Sequence, residues 1–320
     1  MSASDALHRF TVEHQAVRGR LVRLGPAWLA LREHAVYPAA IRRLLGEATA
    51  AAALLASTIK FDGELTLQMQ GTGAVRLLVA QCTDGLQLRA VARFDAERVA
   101  ALEALSGGVP AFADLVGDGQ LAVTVEAEGG ARYQGIVPLG GGSLAAALEV
   151  YFEGSEQLPT AVALAADDAH VAGVLVQRLP QTGGRSAGVA GGADAPGALA
   201  AREAEATATL EATRTALAGL GADELLARPI EELLQRACAG HDLRLQPPQT
   251  VAFRCRCSVE RVGGMLRALG EAELDAVLAE QGAVTVTCEF CHRPWRFGAQ
   301  EVAGLFGGAD RPRDGSGTLN

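Results

Sequence analysis

Residues 38–61, PAAIRRLLGEATAAAALLASTIKF, set apolar side chains at Ile41, Leu44, Leu45, Ala48, Ala52, Leu55 and Ile59, the helical period of one buried face. Directly downstream the period changes to two: Leu65, Leu67, Met69, then Val75, Leu77, Val79, then Leu86, Leu88, Ala90. Asp62-Gly63, Gly71-Thr72-Gly73 and Asp84-Gly85 supply the turns, so the pattern predicts an antiparallel meander after the helix. A second set runs from Leu121, Val123 and Val125 through Gly129-Gly130 to Tyr133, Gly135 and Val137, and a last alternating run spans Val171, Gly173, Leu175, Gln177 and Leu179. Between them Ser143 is placed to cap a short helix with Leu144, Leu148, Tyr151 and Phe152 on one face. Strands joined mainly by hairpins, with helices grouped rather than alternating, predict an α+β fold: a mixed or antiparallel sheet domain with packed helices over residues 1–180.

At Pro180 the composition shifts. QTGGRSAGVAGGADAPG (181–197) has almost nothing to bury and carries six glycines. ALAAREAEATATLEATRTALAGLG (198–221) has strong helix propensity, but its stripe of Leu199, Ala206, Leu210, Thr213 and Leu217 is mostly small, which predicts a helix that forms readily and docks weakly. ADELLARPIEELLQRACAG (222–240) adds two short amphipathic helices around Pro229. Residues 181–250 therefore read as a flexible and helical linker of low stability, 251–306 as a small cysteine-bearing domain, and 307–320 as a disordered tail.

The chain has 320 residues, 49% of them hydrophobic and 20% charged, the composition of an ordinary globular protein, which excludes collagen, wholesale disorder and a coiled-coil rod. With 28 Lys and Arg against 37 Asp and Glu, the net charge of -9 lacks the positive field that a phosphate backbone attracts, and no nucleic-acid partner is expected. No stretch approaches the ~18 apolar residues of a membrane span, and MSASDALHRFTVEHQAVRGR carries charges where a signal peptide needs an apolar core, so a cytoplasmic protein with no membrane partner is expected.

Cys255-Arg256-Cys257 and Cys288-Glu289-Phe290-Cys291 form CxC, thirty residues, CxxC. Four thiolates in two close pairs suit the tetrahedral shell of one Zn²⁺. Around them Ser258 is placed to cap a helix carrying Val262, Met265, Leu266 and Leu269, Gly282 to end a second, and Val284 and Val286 to lead into the CEFC turn. A unit of fewer than ~60 residues rarely builds a self-sufficient core, so a metal would supply folding free energy on the order of 10 kcal/mol. One reading is a static zinc ribbon. Another is a switch: a bond between Cys255 and Cys257 closes a small, strained ring, and oxidising each pair would remove the ligands, release the metal and melt the domain.

The chain resembles the 33 kDa chaperonin (heat-shock protein 33) family of redox-regulated holdase chaperones over nearly its whole length. The resemblance rests on RGRLVRLG (18–25), LLGEATAAAALLASTIKFDGELTLQMQGTG (44–73), GQLAVTV (119–125), YQGIVPL (133–139), YFEGSEQLPT (151–160) and the two cysteine pairs. It implies a chaperone that is inactive when reduced and zinc-bound. Oxidative stress then forms the disulfides Cys255-Cys257 and Cys288-Cys291, releases zinc and unfolds the C-terminal domain and linker. The exposed apolar surface, in a homodimer, holds unfolding client proteins without ATP. The Gly-rich stretch at 183–197 is longer than the linker typical of that family.

Rival readings are weaker. A zinc-ribbon nucleic-acid module wants basic excess, yet residues 250–300 hold arginines at 254, 256, 261, 267, 293 and 296 against acids at 260, 271, 273, 275, 280 and 289. A thiol-disulfide oxidoreductase wants CEFC at a strand-to-helix junction, whereas here it follows a strand and precedes Pro294-Trp295. Lys60 is the only lysine, which excludes a P-loop, and LGGGS (139–143) and Gly71-Thr72-Gly73 read as turns rather than phosphate cradles. Cys82 and Cys238 read as buried small hydrophobes, His292 as a neighbour of a full sulfur shell rather than a ligand, and no residue constellation points to catalysis.

Overall fold

The computed structural model describes residues 5–140, 142–180, 196–238 and 240–306. The Gly-rich segment 181–195 and the tail 307–320, read above as flexible and disordered, lie outside the described residues. The chain divides into two units, Met1–Arg254 and Cys255–Asn320.

The first unit opens with the hairpin β1 (Ala6–Val12) and β2 (Val17–Leu24), then α1 (Pro26–Arg32) and α2 (Ala39–Thr58). There follow β3 (Gly63–Gly71), β4 (Val75–Thr83), β5 (Gln87–Phe94), α3 (Ala96–Leu105), α4 (Phe112–Val116), β6 (Gly119–Ala127) and β7 (Arg132–Pro138). After α5 (Leu144–Tyr151) and a π-helical turn at 152–156 comes the hairpin β8 (Thr160–Ala166) and β9 (Val171–Arg178). Helices α6 (Pro196–Ala218), α7 (Ala222–Ala227) and α8 (Ile230–Ala237) and the short strands β10 (Leu243–Leu245), β11 (Gln249–Thr250) and β12 (Ala252–Phe253) complete it.

Two sheets result. The first has the order β10-β1-β2-β9-β8, with β11 also on β1; the second has the order β12-β5-β4-β3-β6-β7. The meander of β3, β4 and β5 is antiparallel, and β6 closes against β3 with Leu65 opposite Val125 and Met69 opposite Leu121. The fold is α+β, as the hairpin pattern predicts.

Helix α2 departs from its expected single buried face. Its buried positions run almost all the way round, from Ile41, Leu44 and Leu45 through Ala48, Ala50, Ala51, Ala52 and Ala53 to Leu54 and Leu55. The reason is its place in one core with Leu7, Val22, Val171 and Leu175 of the first sheet and Leu65, Leu67, Leu78 and Leu121 of the second. A helix held between two sheets needs an apolar surface on every side, and alanines keep it thin enough for both to approach. Gly46 allows the closest approach, since a Cβ there would stand 2.5 Å from Cβ of Ala166.

The other face of the first sheet forms a second core, in which Phe10, Leu21, Val174 and Val176 pack with Ala206, Leu210 and Leu217 of α6, Leu225 of α7 and Leu233 and Leu234 of α8. Thus α6 is docked more fully than its small stripe predicts: Ala206, Thr209, Leu210, Thr213 and Leu217 are all buried. Short side chains lay a helix close to a sheet rather than leaving it free, and two arginines anchor this layer. Arg214 pairs with Glu149, and Arg23 donates from Nε and Nη2 to the Leu225 carbonyl oxygen at 3.0 and 2.8 Å.

The second unit contains α9 (Val259–Leu269), α10 (Glu271–Gln281), β13 (Val284–Thr287), β14 (Pro294–Phe297) and α11 (Ala299–Phe306). Ser258 caps α9, its Oγ accepting the Arg261 N–H at 3.3 Å, and Gly282 ends α10 with φ 73. Of the expected α9 stripe, Val262 and Leu266 are buried, whereas Met265 and Leu269 are 47% and 58% exposed, because the inward stripe is the narrow i, i+4 pair. The core is Val262, Leu266, Leu274, Val284, Phe297 and Val302. Six buried side chains are a small core for such a unit.

Candidate metal centre

The four cysteines reach one point from two different kinds of backbone. Cys255 and Cys257 lie two residues apart in the segment without regular secondary structure that runs into the Ser258 cap of α9. Cys288 and Cys291 lie in the turn between β13 and β14, whose register pairs Val286 with Trp295 and Thr287 with Pro294. Two hydrogen bonds close that turn: the Cys288 N–H donates to the Arg293 carbonyl at 3.0 Å and the His292 N–H to the Cys288 carbonyl at 2.8 Å. His292 takes a left-handed φ of 51 to make it, which accounts for this residue as part of the turn.

All four Sγ atoms lie within 4.8 Å of one another, with Cys255 to Cys288 at 3.6 Å and Cys257 to Cys291 at 3.4 Å. A tetrahedron of sulfurs about a zinc, with Zn–S near 2.3 Å, has edges of about 3.8 Å, so the donor set fits a tetrahedral metal in number, softness and spacing. Among the described residues no other group of three or more His, Cys, Asp or Glu side chains converges in this way. Burial opposes ionisation of Cys288, but hydrogen bonds from the backbone N–H groups of Cys291 and Phe290, with side-chain bonds from Cys255 and Cys291, outweigh it and hold the thiol below its ordinary value. Burial pushes Cys255 and Cys291 the other way. A turn whose amides point at one sulfur favours a thiolate there before any cation arrives.

The remaining candidates lie apart from this chemistry. Cys82 is buried on β4, and burial pushes its thiol far up. Cys238 ends α8, buried, its thiol pushed up to about 11, with Thr213 Oγ1 4.0 Å from the sulfur. Ser143 of LGGGS caps α5 by accepting the Ala146 N–H at 3.1 Å, while Gly141 lies outside the described residues. Gly71 ends β3 and Gly73 lies in the turn after it, both against α4, where a Cβ would meet the Val116 and Leu115 carbonyl oxygens at 2.2 and 2.4 Å. The sequence reading did not single out the amides of the 288–291 turn or the stacking of Arg293 over Trp295, 4.3 Å from guanidinium carbon to ring centroid. Their signal is weak, because backbone donors are invisible in residue identity. No helix among the described residues is long and apolar enough to cross a membrane.

Comparison with known proteins places this arrangement. The Hsp33 protein family matches residues 5–298. The 33 kDa chaperonin of Nitrosococcus oceani is 39% identical over 308 residues, 96% of each chain, and that of Pseudomonas paraeruginosa 40% identical over 312 residues, 97% of each. The crystal structure of the 33 kDa chaperonin of Thermotoga maritima shares the fold with TM-score 0.75 at 21% identity, covering 95% of this chain and 98% of that one. The class so defined is a chaperone with a four-cysteine site, not an enzyme. The chain belongs to the Hsp33 protein family, the family that its motifs resemble.

Proposed function

We propose that this chaperone is a redox-regulated, ATP-independent holdase whose Cys255, Cys257, Cys288 and Cys291 bind one Zn²⁺ in the reduced, inactive state. The observation that carries the reading is the convergence of four sulfurs within 4.8 Å in a unit whose core cluster, among the described residues, has six buried side chains. Zinc, when bound, supplies folding free energy on the order of 10 kcal/mol, more than a core of that size provides. Oxidation removes the ligands. Each pair, Cys255 with Cys257 and Cys288 with Cys291, gives two electrons to one hypochlorous acid, forming one S–S bond and, with one proton taken up, one chloride and one water.

With its ligands consumed the second unit unfolds, and the metastable segment 181–250 loosens after it. Residues 181–250 are the proposed linker, 1–180 the chaperone domain, 251–306 the switch and 307–320 a tail. Loosening of α6 to α8 bares Phe10, Leu21, Val174 and Val176, an apolar face suited to unfolding client proteins. We assign the active form as a homodimer in the cytoplasm, acting on proteins rather than nucleic acid or membrane.

The test follows zinc release and suppression of citrate synthase aggregation on one sample, reduced and then treated with hypochlorite at elevated temperature. About one zinc per chain lost as antiaggregation activity appears supports the switch. Zinc retained with client aggregation unaffected leaves a static zinc ribbon. Turnover in an insulin-reduction assay would instead indicate a thiol-disulfide oxidoreductase.

A further inference from the structure

The register of β1 and β2 puts Arg9 directly opposite Arg20, and Arg18 lies two residues before Arg20, so three guanidinium groups share one face of the sheet. Arg18 and Arg20 belong to the RGRLVRLG segment, which the metal centre leaves unused. Arg20 is 7% exposed. Its Nε donates to the Ser57 carbonyl oxygen at 3.0 Å, near the end of α2, and its Nη1 to the Gly19 carbonyl oxygen at 3.5 Å. Arg18 donates from Nε and Nη2 to Oε1 of Gln177 at 3.3 and 3.1 Å. That amide is itself buried and turned by donating to Thr160 Oγ1 at 3.3 Å. Arg9 holds its Nε out of solvent with no hydrogen-bond partner among the described residues.

The hydrogen-bond partners of Arg18 and Arg20 are therefore neutral. Among the described residues no carboxylate pairs with Arg9, Arg18 or Arg20, and Glu13, which follows β1, is taken by Arg244 at 2.8 Å. Burial, and then the charges of Arg18 and Arg9, push the Arg20 guanidinium down to about 10. Like charges directly across a strand pair destabilise it, and Arg20 spends one donor on the partial negative charge at the end of α2. Arg9 and Arg18 are half-buried, so a small anion can reach them from solvent.

We propose that Arg9, Arg18 and Arg20 form a binding site for a phosphoryl oxyanion. Three forked donors on one face suit a tetrahedral dianion with several acceptor oxygens better than a planar carboxylate. Inorganic phosphate, the terminal phosphate of a nucleotide and polyphosphate all present that group. Binding would relieve the repulsion and tighten the pairing of β1 with β2 inside the first sheet.

The experiment uses the full-length, reduced, zinc-loaded protein, titrated with sodium phosphate, ATP or polyphosphate against sodium chloride at matched ionic strength, with Tm and calorimetric affinity as readouts. A saturable rise in Tm with phosphate is expected, and a tighter response to ATP or to polyphosphate names the source. Arg9→Gln and Arg18→Gln should each lower the affinity about tenfold. In chloride alone Arg9→Gln should melt no lower than wild type, because it removes a repulsion, which separates lost binding from lost folding. Arg20→Gln is unsuitable, since it uncaps α2. Equal responses to phosphate and chloride, or unchanged affinities in both variants, would overturn the site. Polyphosphate binding that survives both substitutions would do the same, as non-specific polyanion attraction.

Discussion

Arg214 of α6 and Glu149 of α5 form an ion pair, and the other carboxylate oxygen of Glu149 accepts the Val162 N–H of β8 at 2.8 Å. One carboxylate thus ties the first helix after the Gly-rich segment to a strand that the same helix covers. The pair is partly solvated, with side chains 36% and 25% exposed, so its own contribution is no more than about 1 kcal/mol. Removing the carboxylate costs more, because the Val162 amide loses its acceptor at a nearly buried position. Glu149→Ala should destabilise the first unit by about 1–3 kcal/mol and Arg214→Ala by about 1 kcal/mol or less in urea unfolding. If α6 is the strap over the client surface, Glu149→Ala also raises antiaggregation activity in the reduced protein. Activity equal to wild type, with the stability loss present, would remove α6 from that role.

Substituting one sulfur tests the metal centre directly. Cys288→Ser should lower zinc affinity by more than about 100-fold, beyond the range that outer partners of a ligand command. Cys82→Ser, at a buried thiol on β4, should leave zinc content unchanged. Full zinc retention by Cys288→Ser would sink the ligand assignment. Chelation of wild-type protein should cost the helical circular dichroism of the second unit.

Gly46 tests the packing of α2 between the sheets. Alanine raises helix propensity by about 1 kcal/mol, but its Cβ would stand 2.5 Å from Cβ of Ala166 and 2.9 Å from Cγ2 of Val171. Overpacking of that kind costs about 1–3 kcal/mol and outweighs the gain. Gly46→Ala should therefore lower Tm, and a raised Tm would show that β8 and β9 yield more readily than a close-packed core allows.

Glu47 predicts a pH dependence. Burial lifts its carboxyl from 4.5 to about 7, against the opposing charge of Arg43, whose Nε is 3.9 Å away. The folded state keeps the proton where the unfolded state has lost it, so stability falls as pH rises from about 4.5 to about 7 and is level outside that window. The side chain is 20% exposed and retains some hydration, which holds the effect below the full shift, to about 2 kcal/mol or less. Glu47→Gln should flatten this part of the profile and be more stable than wild type at pH 8 in chemical denaturation. Parallel profiles for the two proteins would show that Glu47 ionises normally in the fold.

Legibility in the sequence followed exposure. Strands β3 and β7 bury alternate residues, so the meander could be read from its period, but on β4 the buried residues are Leu78, Ala80 and Cys82 rather than the expected Leu77 and Val79, because the register shifts between Val75 and Leu77. The hairpin β1–β2 and strand β8 lie between two packed layers, where Leu21 and Val22, or Ala161 and Val162, are buried on opposite faces, and the alternation disappears. Helix α6 reads in sequence as weakly docked because Ala206, Thr209 and Thr213 are small, and only the structure shows these side chains buried, where short groups let a helix lie close to a sheet. The cysteine site was visible almost whole, because a metal shell demands particular atoms at short chain spacing.

Residue identity by itself determined the chemistry and the family: four sulfurs as CxC and CxxC, a chain without the lysine of a P-loop, and motifs spread over nearly the full length. Those properties are local or compositional. Tertiary structure alone decided which faces meet: that α2 is enclosed by two sheets, that α6 covers Phe10, Leu21 and Val174, and that Arg9, Arg18 and Arg20 share one face. Each of these depends on pairing between segments distant in the chain. Periodicity shows that a segment has an apolar face or a charge, but the partner is chosen by the free energy of the whole packed arrangement.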